Sequence, residues 1–334
     1  MTSCARLLCL PGAALIAVFS GMFTTVAAQQ NAAANYPTKP IRWITPYPPG
    51  GSTTALSRMV GDKLSEAFGR NVIIDNRPGG NTMTGADAVA KALPDGYTVL
   101  LGGNSQVILS LLMKPPFDVW RDFAPVTILA KTNYILVVNP SLPANNLQEF
   151  INYAKANPGK LNYGSTGAGG PPHLAVELLN YMAKIKITHI VYKGISLVVT
   201  ANLSNEIQVA TPNLFTGLPH VRGGKLRALG ITSAKRSALM SEAPTLKESG
   251  LDVEAYLWVG LFANAATPEA TLTKVREVVR KSVAEPAFHE AMTKVQVALD
   301  YRDGPEFKKF FDADYKRLGP VVKQIGRIEE PAKK

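Results

Sequence analysis

The sequence predicts an α/β protein whose chain is divided between two lobes. Strand-like and helix-like segments alternate along most of its 334 residues, which is typical of layered α/β folds. Glycine-rich loops follow several strands, and open α/β sheets bind ligands at the carboxyl ends of their strands. Two apolar stretches, Ile135–Val138 and Tyr256–Ala263, are interpreted as the crossings between the lobes.

The first 28 residues are predicted to be a cleaved export signal. Arg6 supplies a positive charge, Leu7–Phe23 is mostly apolar, and Val26–Ala28 fits a small-residue cleavage site. The competing interpretation is a membrane anchor. It is disfavoured because Pro11 and Gly12 interrupt an already short apolar run.

Export leaves a basic chain without thiols. Cys4 and Cys9 both lie in the leader, so the mature chain of about 300 residues must rely on a large core rather than on disulfides. Removing the leader, with its single basic residue, lowers the formal net charge from +11 to +10. Because the basic residues are dispersed and not interleaved with aromatics, they predict a solvated basic surface or modest steering of anionic ligands, not nucleic-acid binding.

The first candidate site is the loop Pro46–Thr54. It follows a predicted strand, Ile41–Thr45, and precedes apolar residues at helical spacing from Leu56 to Phe68. The unpaired N–H groups of a helix start and the positive end of its dipole attract anions. No Gly-Lys-Ser/Thr follows, which excludes a nucleotide P-loop. The loop therefore predicts a site for a small anion such as a carboxylate.

Further predicted elements complete the first lobe and build the second. In the first lobe they are a strand at Asn71–Asp75, a rim loop at Asn76–Gly80, a helix at Gly85–Ala92, a strand at Tyr97–Leu101 and a loop at Gly102–Ser105. In the second they are a helix at Leu147–Ala156, a strand at Leu161–Gly164, a loop at Ser165–Pro172, a helix from His173, and strands at Thr188–Tyr192, Ile207–Ala210 and Leu226–Ile231. The mainly helical segment Pro268–Ile325 should pack back on the first lobe, and residues beyond Ile328 should fray.

Two loops rich in glycine and hydroxyl residues, one in each lobe, predict a clamp on a ligand. The candidate ligand-binding residues lie in or beside these loops: Tyr47, Pro49, Gly50, Gly51, Ser52, Thr53, Thr54, Asn104, Ser105, Ser165, Thr166, Gly167, Ala168, Gly169, His173 and Asn213. For Ser52, Thr53 and Thr54 we favour ligand contact by at least one hydroxyl, and capping of the helix is the structural alternative. For His173 and for Arg77 in the rim loop, a structural role is the alternative.

Motifs for catalysis, metals and cofactors are missing from the sequence. The segment Gly164–Gly167 lacks the Gly-x-Ser-x-Gly spacing of a serine hydrolase, and the four histidines form no HExxH motif. The run Gly167–Pro172 lacks the last glycine of a dinucleotide loop. We therefore expect a binding protein without catalytic residues, metal or cofactor.

Short segments along nearly the whole mature chain match one family in order and spacing. They are Tyr36-Pro37, Lys39–Ile41, Pro49–Ser52, Asn76–Gly79, Pro94–Thr98, Asp122–Val126, Pro158–Tyr163, His173-Leu174, Tyr192–Gly194, Gly224–Leu229 and Ala243–Thr245. In these segments the sequence resembles the periplasmic substrate-binding proteins of tripartite tricarboxylate transporters, the Bug family.

The resemblance implies a periplasmic-binding-protein (Venus-flytrap) fold in which two lobes, each a central β-sheet flanked by helices, close on a small carboxylate. Its expected division is residues 29–136 and 260–334 for lobe 1 and 137–259 for lobe 2. It also implies that the loops Pro49–Thr54 and Ser165–Gly170 hold the carboxylate with ordered waters. The expected protein is a periplasmic monomer that delivers its ligand to a tripartite tricarboxylate-type permease. The alternatives are a ligand-presenting partner of a membrane sensor and a secreted enzyme.

The sequence departs from the family where acidic residues are usual. Thr54 and Gln208 occupy positions where the family usually has aspartate. Leu197 and Ala201 replace a usual proline and aspartate, and the loop Ser165–Gly170 lacks the usual asparagine. We therefore expect a less polar ligand, such as an aromatic carboxylate, in preference to an amino acid such as aspartate.

Overall fold

The computed structural model describes residues 35–294 and 297–325, which form two mixed β-sheets flanked by helices. The leader with both cysteines and the terminus beyond Ile328 lie outside the described residues. The first sheet has six strands in the order β11-β4-β10-β3-β1-β2: β1 Ile41–Thr45, β2 Val72–Asn76, β3 Thr98–Gly103, β4 Phe123–Asn133, β10 Tyr256–Asn264 and β11 Leu299–Arg302. The second has five in the order β7-β6-β8-β5-β9: β5 Ile135–Val138, β6 Asn162–Ser165, β7 Thr188–Val191, β8 Val209–Ala210 and β9 Arg227–Ile231.

Helices cover both faces of each sheet. Around the first sheet they are α1 Ser52–Phe68, α2 Met83–Ala90, α3 Asn104–Leu112, α8 Glu269–Val283, α9 Pro286–Lys294 and α10 Gly304–Ile325, with a 3₁₀ turn at Gly80–Thr82. Around the second they are α4 Leu147–Ala156, α5 Pro171–Ala183, α6 Ile195–Leu203 and α7 Leu214–Arg222. The two-lobed fold expected from the sequence is confirmed.

Strand β10 shows how the first sheet is buried on both faces. Leu257, Val259 and Leu261 belong to the apolar cluster under α1 and α8. Trp258 and Phe262 point to the opposite face and pack with residues of α3 and α10. This period-2 alternation lets one strand stabilise two layers, and the fully buried Trp258 is among the largest core side chains.

Some elements differ from those expected. Strands β4 and β11 were not predicted, because Pro125 and Lys131 interrupt the apolar pattern of β4 and β11 has only four residues. Gly102 and Gly103 end β3, and Asn104 directly begins α3, so the expected loop Gly102–Ser105 is wrong. Helix α7 was also missed because Pro219 lies inside it.

The chain passes between the sheets twice, at adjacent points. Only Tyr134 separates β4 in the first sheet from β5 in the second. On the return, Thr232 joins both crossings: its hydroxyl accepts a hydrogen bond from the N–H of Tyr134 (3.1 Å) and donates one to the carbonyl of Ala255 (2.5 Å). On the basis of the sheets we propose dividing the lobes at Tyr134 and Ala255, which assigns all of β10 to the first lobe.

Helix α10 holds the return crossing through a buried carboxylate. Asp314 is 2% exposed and accepts hydrogen bonds from the hydroxyl of Tyr256 (2.9 Å) and the indole N–H of Trp258 (2.7 Å). Arg317 pairs with the same carboxylate at 2.8 Å and also lies over the ring of Tyr256. The start of β10 is therefore fastened to the C-terminal helix by charge as well as by packing.

Replacement of this carboxylate should strongly destabilise the fold. Asp314→Ala leaves two buried donors and a largely buried guanidinium without their acceptor, and we expect it to lower the free energy of unfolding by about 3 kcal/mol. Urea unfolding followed by tryptophan fluorescence measures this. The control Glu290→Ala removes an exposed ion pair with Lys294 and should cost at most about 0.5 kcal/mol. Equal effects of the two substitutions would contradict the assigned role of Asp314.

Candidate ligand-binding cleft

The loop after β1 presents an uncapped helix start. Gly50 adopts a positive φ of 92°, and Gly51 at the N-cap of α1 has no side chain to accept from the first turn. The first amides of α1, at Ser52 and Thr53, therefore keep the anion-attracting character of a helix N-terminus. Pro49 and Gly50 are exposed at the rim of this turn.

Three hydroxyl residues of this loop have different positions. The Thr54 hydroxyl accepts a hydrogen bond from the amide of Asn76 (3.0 Å) and lies 3.4 Å from the carbonyl of Pro48, so it fastens the turn. The backbone carbonyl of Thr53 accepts from Ser57. The Ser52 hydroxyl instead faces the second lobe, where the side-chain amide of Asn213 donates to it at 3.1 Å.

Tyr47 and the start of α3 form a neighbouring part of the cleft. The hydroxyl of Tyr47 lies 3.4 Å from that of Ser105, a long contact, and burial raises the pKa of the Tyr47 phenol although Ser105 partly opposes this. Asn104 is 2% exposed and donates to the carbonyl of Tyr256 at 2.5 Å. Asn104 thus ties α3 to β10, and Ser105, which is equally buried, links α3 to Tyr47.

In the second lobe Ser165 organises its own loop. The residue is fully buried, and its hydroxyl lies 2.6 Å from Nε2 of His189 and accepts from the N–H of Gly167 at 3.1 Å. The ring of Tyr163 stacks on His189 with centroids 4.8 Å apart. These contacts fix the loop, in which Thr166 and Ala168 are half-buried and the glycines are buried.

His173 lies under the same loop. Its Nδ1 accepts a hydrogen bond from the N–H of Gly169 at 3.3 Å, which requires the neutral ring. Burial lowers the pKa of His173 to about 4. The pKa of His189 is also lowered to about 4, by burial first and then by the adjacent His173, against an opposing effect of Glu177. Both imidazoles are therefore neutral at pH 7.

Asn81 makes a second contact between the lobes that the sequence analysis missed. Its side-chain amide donates to the carbonyl of Ala168 at 2.9 Å, and a side chain at Gly170 would approach its Oδ1 to 3.4 Å. Gly79, Gly80, Asn81 and Thr82 all have positive φ, which is costly for the two residues that are not glycine. The sequence signal available was the Gly-Gly-Asn run, which favours left-handed backbone.

The predicted ligand-binding residues are uncharged. None of the sixteen predicted ligand-binding residues is charged at pH 7, because His173, the only titratable one near that pH, is neutral. Arg77 is held by Asp75 at 2.9 Å, and Asp75 also pairs with Arg42. Within residues 35–294 and 297–325, no three potential metal ligands come together. The predicted binding residues therefore offer hydroxyls, amides and helix N-termini to a ligand.

Comparison with known proteins decides the family. The model described as "Tripartite tricarboxylate transporter family receptor" matches residues 56–327. The chain belongs to this receptor family. The matched residues span both lobes.

Individual relatives agree with this assignment. Protein BugT of Bordetella pertussis is 33% identical over 319 residues, covering 93% of this chain and 97% of BugT. The R. palustris protein Rpa4515, whose structure was solved with adipate, is 28% identical with a TM-score of 0.83, covering 87% of this chain and 98% of that one. A structure described as a periplasmic transporter is 32% identical with a TM-score of 0.81, covering 86% and 97% of the two chains.

Within residues 35–294 and 297–325, no helix combines the length and the apolar character that a membrane span needs.

The contact made by Asn81 should favour the closed arrangement of the lobes. Asn81→Ala removes the donor to Ala168, so we expect a larger radius of gyration in small-angle X-ray scattering. Asn205→Ala is a matched control, because Asn205 also has a positive φ (61°) but lies in an exposed turn of the second lobe. Asn205→Ala also places an alanine at a positive φ, so it should carry the same backbone strain as Asn81→Ala while the lobes stay closed. Equal scattering from Asn81→Ala and the wild type would contradict this role.

The two neutral histidines predict loss of stability in acid. Their pKa values of about 4 in the fold lie below the ordinary value of 6.5, so the unfolded chain binds more protons between these pH values. The free energy of unfolding should therefore fall as the pH falls from 6.5 to 4. Urea unfolding at pH 7.5, 6.5, 5.5 and 4.5 measures this.

His189→Gln should show a shallower decline over that range than the wild type. Because other groups also titrate there, the informative quantity is the difference between variants. His289→Gln, at an exposed position of α9, is the control and should keep the full decline. An unchanged pH dependence in His189→Gln would exclude the half-buried imidazole of His189 as its source.

Proposed function

We propose that this protein is a periplasmic receptor that captures a small carboxylate between its lobes and delivers it to a tripartite tricarboxylate-type permease. The observation that carries the proposal is the pairing of an uncapped helix start in one lobe with neutral donors of the other. Ser52 at the start of α1 meets Asn213, and Asn81 meets the glycine loop at Ala168. A ligand bound beside these contacts would touch both lobes and stabilise the closed form.

The choice of a carboxylate has physical and comparative support. Preorganised N–H and O–H donors bind anions without a cationic side chain when water is excluded. Rpa4515, solved with adipate, shares this fold at 28% identity. Transfer to a permease and a periplasmic location follow from what is typical of the family.

We further propose that the ligand lacks an amino group. Thr54 lies at a position that is usually acidic in the family, and its hydroxyl contacts the side-chain amide of Asn76 and the carbonyl of Pro48. Asp75, at the end of β2, is neutralised by Arg42 and Arg77. An ammonium group would therefore be desolvated without a paired carboxylate, which is costly. Adipate-like and aromatic acids avoid this cost.

We propose binding without catalysis. Ser165 and His189 resemble a nucleophile with its base, their side-chain atoms lying 2.6 Å apart. However, Ser165 is fully buried and its hydroxyl is also engaged with Gly167. A substrate carbonyl has no approach to this oxygen, so the pair serves to shape the loop.

A thermal-shift screen of the mature protein against small carboxylates tests the receptor function. The protein is first unfolded and refolded to release any carried ligand. The panel contains adipate, malate, citrate, aspartate, nicotinate, benzoate and terephthalate, with chloride at equal ionic strength as the control. A ligand at a hundred times its dissociation constant should stabilise the fold by about 2.7 kcal/mol.

The outcomes separate the receptor function from the proposed selectivity. We expect adipate or an aromatic acid to raise the melting temperature more than aspartate does. Equal stabilisation by aspartate and adipate would remove the preference against amino acids. Absence of any shift across the panel would remove small carboxylates as the ligand class.

A further inference from the structure

Tyr134 is a nearly buried tyrosine whose hydroxyl has no hydrogen-bond partner within the described chain. The residue is 3% exposed, and its ring belongs to the apolar cluster that contains Trp43 and Leu56. Its backbone is fixed on both sides, by Thr232 and by a bridge to Asn213. Its hydroxyl oxygen, unlike the enclosed unpaired atoms of the core, keeps some accessible surface. The ring is therefore anchored while its polar end meets open space.

The surroundings identify that open space as the cleft. Tyr134 is the single residue between β4 and β5, and its bridge partner Asn213 donates to Ser52 at the start of α1. The phenol of Tyr47 is close enough to raise the pKa of Tyr134 electrostatically, in addition to the larger effect of burial. Tyr47 in turn has only a long contact, 3.4 Å, to Ser105. The phenols of Tyr47 and Tyr134 and the hydroxyl of Ser105 thus lie in the region where the lobes join.

An unpaired hydroxyl on a buried ring is unfavourable for the fold alone. A polar group without a partner loses hydration on folding and regains nothing, and phenylalanine would fill the same volume without that loss. Buried tyrosine hydroxyls normally have a partner. Tyr36, for example, is 6% exposed and donates to the carbonyl of Gly96 at 2.7 Å. Folding alone therefore does not explain the hydroxyl of Tyr134, whereas a bound ligand that accepts a hydrogen bond from it does.

We propose that Tyr134 is a ligand-contacting residue whose hydroxyl donates a hydrogen bond to a carboxylate oxygen of the ligand at the junction of the lobes. This inference rests on the proposed receptor function and adds a recognition group from outside the two binding loops. A phenol is a neutral donor, in keeping with the uncharged cleft.

The test compares Tyr134→Phe with Tyr36→Phe in the full chain, using stability and affinity as separate readouts. Tyr134→Phe should unfold at the same temperature as the wild type or higher, because no hydrogen bond of the free protein is lost. It should weaken adipate binding about tenfold in calorimetry, as expected for a lost hydrogen bond to a charged group. Tyr36→Phe should do the reverse, with a lower melting temperature and unchanged affinity.

Hexanoate, which has the chain length of adipate but one carboxylate, is measured in parallel. If Tyr134→Phe binds both acids more weakly, the Tyr134 hydroxyl contacts the carboxylate that adipate and hexanoate have in common. If it binds only adipate more weakly, the hydroxyl contacts the carboxylate that hexanoate lacks. Either result supports the inference. Unchanged affinity for both acids, or destabilisation of the free protein as in Tyr36→Phe, would overturn it.

If wild-type protein binds neither adipate nor any other acid of the panel, the receptor function itself fails. That result is distinct from a wild type that binds and a Tyr134→Phe variant that binds equally well, which removes Tyr134 alone.

Discussion

The placement of the two sheets depends on a crossing only one residue long. Because β4 ends at Asn133 and β5 begins at Ile135, the second sheet starts where the first one stops. Strands β1 and β3 then end near the lobe junction, as do β6 and the segment after β8. Helices that begin directly after these strands direct their N-termini into the space between the lobes. The cleft is thus a consequence of how the strands are connected. The glycines of its loops have no bulky side chains, so the backbone there can lie close to the opposite lobe.

The charges of this basic protein are arranged so that they leave the cleft neutral. Asp75 is shared by Arg42 and Arg77, and Asp314 is held by Arg317. Lys131 lies 3.7 Å from the ring centre of Tyr256, where burial lowers its pKa. Each of these groups serves the framework next to the site. Under the proposed function, recognition is left to dipoles that are fixed before a ligand arrives and need no reorganisation when it binds.

The sequence revealed the parts of the cleft that have a local signature. Pro-Gly-Gly before an amphipathic segment predicted the start of α1, and the prolines before His173 predicted that of α5. Asn81 could not be found in the same way, because its importance comes from left-handed backbone and from a partner 87 residues away. His189 was similarly hidden, since its contact with Ser165 arises only when β6 and β7 pair. Long-range pairing, rather than composition, decides which hydroxyls are free for a ligand.

The double crossing at Thr232 also has a consequence for how such a protein diversifies. Tyr134 and Ala255 are both hydrogen-bonded to Thr232. The chain therefore leaves the first lobe and returns to it at the same place, and the segment between these two residues forms the second lobe. A segment with adjacent ends can be replaced as a cassette without disturbing the chain that receives it. The glycine loop after β6 and the Asn213 amide belong to this cassette, whereas the uncapped start of α1 belongs to its host. Half of the recognition surface can therefore be exchanged by recombination while the other half is inherited unchanged.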